Sequence, residues 1–202
     1  MTRPGSPDAY YRRAKSQGYA ARSVFKLQEM DRRYGLLRPG QAVLDLGCHP
    51  GSWLQFASQK VGRSGRLVGV DLQEPGVSMP QGSCFIQADL LELTPAEVQE
   101  RSGLAVFDLV LSDVAPHTTG IKDRDAAASL ELSQASLDMA LALLKPGGSF
   151  LAKVFFGPGV EDLIRQVKGA FKLGKAHKPD ASRSASKEIY ILGRGRKQAR
   201  PG

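Results

Sequence analysis

The chain has 202 residues, 42% of them hydrophobic and 24% charged, which is length and composition enough for one domain with a sizeable core. It carries 28 basic and 20 acidic residues, a net charge of +8, and only two cysteines, Cys48 and Cys84. No apolar run approaches the roughly 20 residues that span a bilayer, no secretory leader is visible, and two cysteines cannot form a disulfide scaffold, so a cytoplasmic protein without a membrane partner is expected.

Residues 1–10 read as a loose leader, 11–195 as a single domain and 196–202 as a basic, disordered tail. From about Ala21 to Tyr34, Val24, Leu27 and Met30 recur at helical spacing, and Pro39-Gly40 ends that helix. Residues 42–47 read as a buried strand, followed by a glycine-proline turn and a helix from Ser52. Further strands are expected over 66–72, 84–90, 107–113 and 149–155. A short helix is expected near Pro95, a long one over about 124–144 stopped by Pro146-Gly147-Gly148, and another over 159–171. The stretches 172–177 and 188–194 read as a strand pair at one edge. Near-continuous apolar strands alternating with helices indicate an α/β, doubly wound, mostly parallel sheet covered on both faces.

Charge is unevenly spread. Residues 1–38 have nine basic and three acidic side chains, and 163–202 have eleven and two. The middle, 39–162, has eight and fifteen. Basic ends around an acidic centre suggest a polyanion-binding surface beside a differently specialised pocket, although basic termini can also be merely solvated.

The segment Val43-Leu44-Asp45-Leu46-Gly47-Cys48-His49-Pro50-Gly51-Ser52-Trp53 runs from a strand through a small-residue turn into a helix. Its glycines are spaced G-x-x-x-G, whereas a dinucleotide fingerprint needs G-x-G-x-x-G to seat a pyrophosphate. Asp45 places a carboxylate just before the turn, which suits a ligand bearing an ammonium and a sulfonium. Asp71, ending the second strand, is placed for two ribose hydroxyls, and Asp89, ending the third, for an adenine amino group. Each could be an ordinary strand-end aspartate. Together with Gly47 and Gly51 they fit S-adenosyl-L-methionine better than NAD. Trp53 reads equally as a core residue or as a neighbour of the adenosyl group.

Two lysines stand out. Lys153 interrupts an apolar strand, and lysine is seldom buried without a partner, although a strand-end lysine can also snorkel to solvent. Lys26 lies in the first amphipathic helix. Asp113 again ends a strand, and Glu188 opens the last one. No metal-ligand spacing joins His49, His117 and His177, so no metal site is expected.

The stretches RSVFKLQEMD, VLDLGCHPGSW, LVLSDVAPHTTG, LAKVFFG and KPDASRSASKEIYILGRG resemble the FtsJ family of ribose 2′-O-methyltransferases, over nearly everything from Tyr11 to Gly195. The resemblance implies a Rossmann-like methyltransferase sheet of seven strands with an antiparallel edge hairpin. It implies a catalytic tetrad on Lys26, Asp113, Lys153 and Glu188, and cofactor contacts at Gly51, Trp53, Asp71, Asp89 and Asp113. It implies action on a uridine ribose of 23S rRNA, with large-subunit ribosomal RNA as partner. Lys153 would take the hydroxyl proton, Asp113 would orient it, and Lys26 with Glu188 would hold the ribose. His49 stands where the family usually has a small residue, and His117 where it usually has Asn. RNA contacts are expected at Arg12, Arg13, Lys15 and Arg22 before the first tetrad lysine. Lys172, Lys175, Lys178, Arg183 and Lys187, before the glutamate, should converge on the same site. Tyr10, Tyr11 and Tyr19 are candidates to stack on bases, and Arg194, Arg196, Lys197 and Arg200 to hold phosphates. A monomer is expected. A tRNA target, or a non-catalytic assembly factor on the same fold, are the alternatives.

Overall fold

The computed structural model describes residues 7–180 and 187–198. Its centre is the parallel pair β1 (Ala42–Leu46) and β4 (Phe107–Ser112). From β1 the sheet continues through β2 (Arg66–Asp71) to β3 (Cys84–Gln87). From β4 it continues through β5 (Leu144–Phe155), β7 (Glu188–Arg196) and β6 (Phe171–His177), giving the order β3-β2-β1-β4-β5-β7-β6. β7 is antiparallel to both neighbours. The expected mostly parallel, seven-stranded α/β sheet with an antiparallel edge pair is therefore observed. Its strand order reverses between β1 and β4, which opens a crevice at their carboxyl ends.

The apolar runs bury both faces. One core joins Leu44, Val70, Val110 and Phe150 to α4 (Pro95–Ser102), α5 (Lys122–Leu143) and α6 (Val160–Ala170). The other joins Val43, Leu109, Leu151 and Leu192 to α1 (Pro7–Ser16), α2 (Val24–Tyr34) and α3 (Ser52–Val61). Among the described residues no helix is long and apolar enough to cross a membrane.

Three boundaries differ from expectation. The chain is already helical at Pro7, where a loose leader to residue 10 was expected, because Tyr10 and Ala14 pack into the α1–α3 core. The Pro146-Gly147-Gly148 stretch does not separate helix from strand. Phe107 pairs with Leu144, a register irregularity absorbs the insertion, and Gly147 takes φ +83°. Finally β7 runs through Arg196, whose guanidinium donates to the carbonyls of Leu141 and Leu144, while Lys197 N donates to Ala170 O. Residue 196, where a disordered tail was expected to begin, is therefore ordered strand. Residues 1–6, Arg183 and 199–202 lie outside the described residues.

Candidate active site

The tetrad assembles on one face of the sheet, at its carboxyl edge. Lys153 and Glu188 project beside Tyr190 because β5 and β7 pair Lys153 with Tyr190 and Phe155 with Glu188, and alternate strand residues share a face. α2 brings Lys26 over them, and its ammonium pairs with Glu188 Oε1. Asp113 follows β4, with its N–H donating to Leu46 O at 3.1 Å. Lys153, 6% exposed, directs Nζ to Asp113 O at 2.6 Å and to Asp113 Oδ1 at 3.2 Å. All four expected residues therefore meet at one place, as the bonded pairs Lys26–Glu188 and Lys153–Asp113.

Tyr190 is the member that sequence reading missed. It is fully buried and its hydroxyl donates to Asp113 Oδ1 at 2.8 Å. Burial, then the carboxylates of Asp113 and Glu188, push its phenol well above the usual tyrosine range, so it remains a proton donor. Its ring lies 5.9 Å from Lys26 Nζ and stacks on Trp53 at 6.0 Å. The available signal was strand period: Tyr190 is two residues from Glu188, on the same face. Trp53 is buried behind this group, with its indole N–H donating to Ser23 O at 3.0 Å.

A second set of side chains holds the strand that carries Lys153. Pairing of β5 with β4 ends at Ala152, leaving Lys153 O and Phe155 N beyond the ladder on that side. α5 supplies the replacements. Ser133 Oγ lies 2.8 Å from Lys153 O, and Phe155 N donates to Ser129 Oγ at 3.0 Å. Both serines are buried at helical spacing.

Beside the tetrad lies an open cleft of about 260 Å³, lined by Gly47, Asp71 and Asp89 together with Leu72, Leu91 and Pro116. Asp71 is oriented by two backbone donors, His49 N to Oδ2 at 2.9 Å and Gln73 N to Oδ1 at 3.0 Å. Asp89 is fixed by Leu91 N at 2.9 Å. Gly47 has φ +75°, and a Cβ there would fall 2.6 Å from the Val114 backbone, so no other residue leaves the cleft open. Gly51 gives the loop after β2 room instead: its Cβ would meet Val77 at 2.3 Å. His49 holds that loop from outside through Nδ1 and Glu74 O, 2.9 Å apart.

Asp45 is the clearest indication of what this region holds. It is 1% exposed, and neither carboxylate oxygen has a hydrogen-bond partner among the described residues. Burial, reinforced by Asp113 and Asp71, raises its pKa well above the ordinary carboxylate range. An orphaned buried carboxyl is costly unless a cation or donor completes it. The residues present therefore fit S-adenosyl-L-methionine: Asp45 for positive charge, Asp71 for hydroxyls, and Asp89 with Leu72 and Leu91 for a flat heterocycle.

The expected RNA contacts divide. Arg12, Arg13 and Lys15 are exposed on α1, with Arg13 lying 4.8 Å over Phe25. Arg22 is half-buried just before α2. Lys178 and Lys187 are exposed at the carboxyl edge, near Glu188. Lys172 does not converge on the site, because β6 begins at the opposite edge of the sheet, where Arg194, Arg196 and Lys197 also lie. Tyr10 packs 5.5 Å from Phe25, and Tyr19 bonds Gln59 Oε1 at 2.9 Å, so both are engaged in packing. Tyr11 alone of the three is open, at 60% exposure.

Comparison with known proteins agrees with this geometry. Residues 19–196 match the family model of FtsJ-like methyltransferases. A protein of Desulfosudis oleivorans named ribosomal RNA large subunit methyltransferase E is 45% identical over 194 residues, covering 96% of this chain and 93% of its own length. One of the same name from Desulfatibacillum aliphaticivorans is 49% identical over 190 residues, covering 94% and 91%. A Plasmodium falciparum crystal structure described as a ribosomal RNA methyltransferase superposes with a TM-score of 0.77 at 26% identity, over 88% of this chain and 98% of that one. With its tetrad, crevice and near-complete match in place, the chain belongs to the FtsJ-like methyltransferase family.

Proposed function

We propose that the protein methylates the 2′-hydroxyl of a ribose, a uridine of 23S rRNA in the large ribosomal subunit, using S-adenosyl-L-methionine. The carrying observation is the meeting of the Lys26–Glu188 pair with the Tyr190–Asp113–Lys153 group, near the buried Asp45, which has no partner among the described residues. Relatives named for the large-subunit RNA support the substrate. S-adenosyl-L-methionine supplies an electrophilic methyl group on a sulfonium. The protein's residues supply alignment and a proton acceptor. Lys153 Nζ takes the proton of the 2′-hydroxyl. Asp113 aims Nζ through Oδ1 and its own carbonyl, and Tyr190 keeps Asp113 from swinging away. The Lys26–Glu188 pair positions the ribose, and holding hydroxyl and donor in line contributes much of the acceleration. Every member of the group comes from one chain, which supports action as a monomer. The exposed basic residues on α1 support RNA docking on that side, and a ribosomal substrate supports a cytoplasmic location.

The test is transfer of labelled methyl to purified large subunits, free ribosomal RNA and tRNA, for wild type and Lys153→Ala. Alkali-resistant label should appear on the subunit and fall about 10²–10⁴-fold in the variant with cofactor affinity kept. Label on tRNA alone would overturn the substrate, and no label on any RNA would overturn the reaction.

A further inference from the structure

A second cleft, about 540 Å³, opens at the amino edge of the sheet, at the other end of the strands from the tetrad. Its walls come from the Gly35–Gln41 segment that joins α2 to β1, and from the amino-edge ends of β5, β6 and β7. Four cations line it: Arg38, Lys145, Lys172 and Arg194. The one acid there, Asp108, is already engaged, by Lys145 on Oδ1 and by Ala42 N on Oδ2 at 2.8 Å. Arg38, Lys172 and Arg194 thus have no carboxylate partner among the described residues. Their neighbours show that this edge can satisfy cations internally, since Arg196 and Lys197 both donate to helix-end carbonyls. Three like charges held around one cleft repel one another, and an anion removes that repulsion.

The floor is bare backbone. Gly35, Gly147 and Gly195 all have positive φ. The stem of Lys172 lies across Gly195, where a Cβ would sit 3.2 Å from its Cδ. Such a floor lets a phosphate approach the cations closely. The cleft is also joined to the active site by charge. α2 and β6 both connect the two edges, and midway Arg33 and Lys175 flank the Tyr34 ring at 5.7 and 5.8 Å. Along β7, Glu188 and Arg194 are six residues apart, about 20 Å at about 3.3 Å per residue. One nucleotide cannot occupy both ends.

We propose that this amino-edge cleft is a second phosphate-binding site, which grips substrate RNA away from the target ribose. The proposal rests on RNA being the substrate and adds where a distant part of it is held. Phosphate contacts of this kind set register without reading sequence. They would let the protein prefer a large folded RNA to a short fragment bearing the same target.

The test combines Arg38→Gln, Lys172→Gln and Arg194→Gln in the full chain, with cofactor affinity and thermal midpoint as checks of folding. Methyl transfer to large subunits should show KM raised about tenfold with kcat within about twofold. The slope of log affinity against log salt should become shallower by about two, from three lost phosphate contacts. On a short hairpin carrying only the target loop, variant and wild type should behave alike. Unchanged KM and salt slope on the subunit would overturn the proposal, as would equal impairment on hairpin and subunit. Lost binding to intact subunits but not to their protein-free RNA would overturn it in favour of an acidic protein partner. If wild type binds subunits but transfers no methyl, the proposed reaction fails, while the same binding comparison still decides the cleft.

Discussion

Asp45 combines near-complete burial, two orphaned oxygens and two acidic neighbours, Asp113 and Asp71. Its folded pKa lies above the roughly 3.9 of an unfolded aspartate. The unfolded chain therefore releases this proton first as pH rises, and Asp45 lowers stability above about pH 4. Asp45→Asn should leave the ligand-free protein equal in thermal midpoint to wild type near pH 4 and more stable at pH 8. The same change should weaken S-adenosyl-L-methionine binding by roughly 10- to 100-fold, the scale of a charge-assisted hydrogen bond. A variant less stable than wild type at pH 8, or with full cofactor affinity, would remove Asp45 from the cofactor site. The residues of this site differ in how openly the sequence displays them. Lys153 is visible because a lysine interrupts an apolar strand, and Asp71 and Asp89 because acids end two successive strands. Tyr190 and Ser133 are hidden, since a tyrosine in an aliphatic strand or a serine on an amphipathic helix looks the same whether it packs or positions.

At the scale of elements, the carboxyl end of β5 projects past β4 and is held there by α5. Ser133→Ala would leave Lys153 O buried beyond the ladder without its side-chain donor, at a cost of about 1–3 kcal/mol. A brace that also positions Lys153 should lower kcat severalfold while cofactor affinity stays unchanged, and Ser133→Thr, which keeps the hydroxyl, should restore much of the rate. If Ser133→Ala loses stability but keeps kcat, the serine supports the fold alone. The fold's plan was legible because each parallel strand is a continuous apolar run and each helix a periodic one. Boundaries were less so. The irregular pairing at Phe107 and Leu144 lets strand structure pass through Pro146-Gly147-Gly148, a tertiary effect that local breaker signals oppose. α1 was obscured because, among its described side chains, Tyr10 and Ala14 alone enter the core.

Across the whole molecule, the two faces of the sheet differ in charge. α1, α2 and α3 carry seven basic and three acidic residues, whereas α4, α5 and α6 carry five and eight. The tetrad opens on the basic side, because Lys26 lies on α2 and Lys153 shares a face with Leu151 of the α1–α3 core. An RNA approaching the crevice is therefore drawn to one face and repelled by the other, so the charge distribution orients the encounter. Contact and field can be separated by mutation. Glu131→Lys with Asp138→Lys, both exposed on α5, raises net charge by four on the far face. At about 0.15 M salt, where screening falls off over about 8 Å, KM for large subunits should stay within about twofold of wild type. Arg12→Glu with Lys15→Glu lowers net charge by the same four on the α1 side and should raise KM about tenfold or more. Equal and opposite shifts from the two pairs would mean that net charge alone governs binding. A fall in KM from the α5 pair that exceeds the rise from the α1 pair would place RNA on the α4–α6 face and overturn this docking direction.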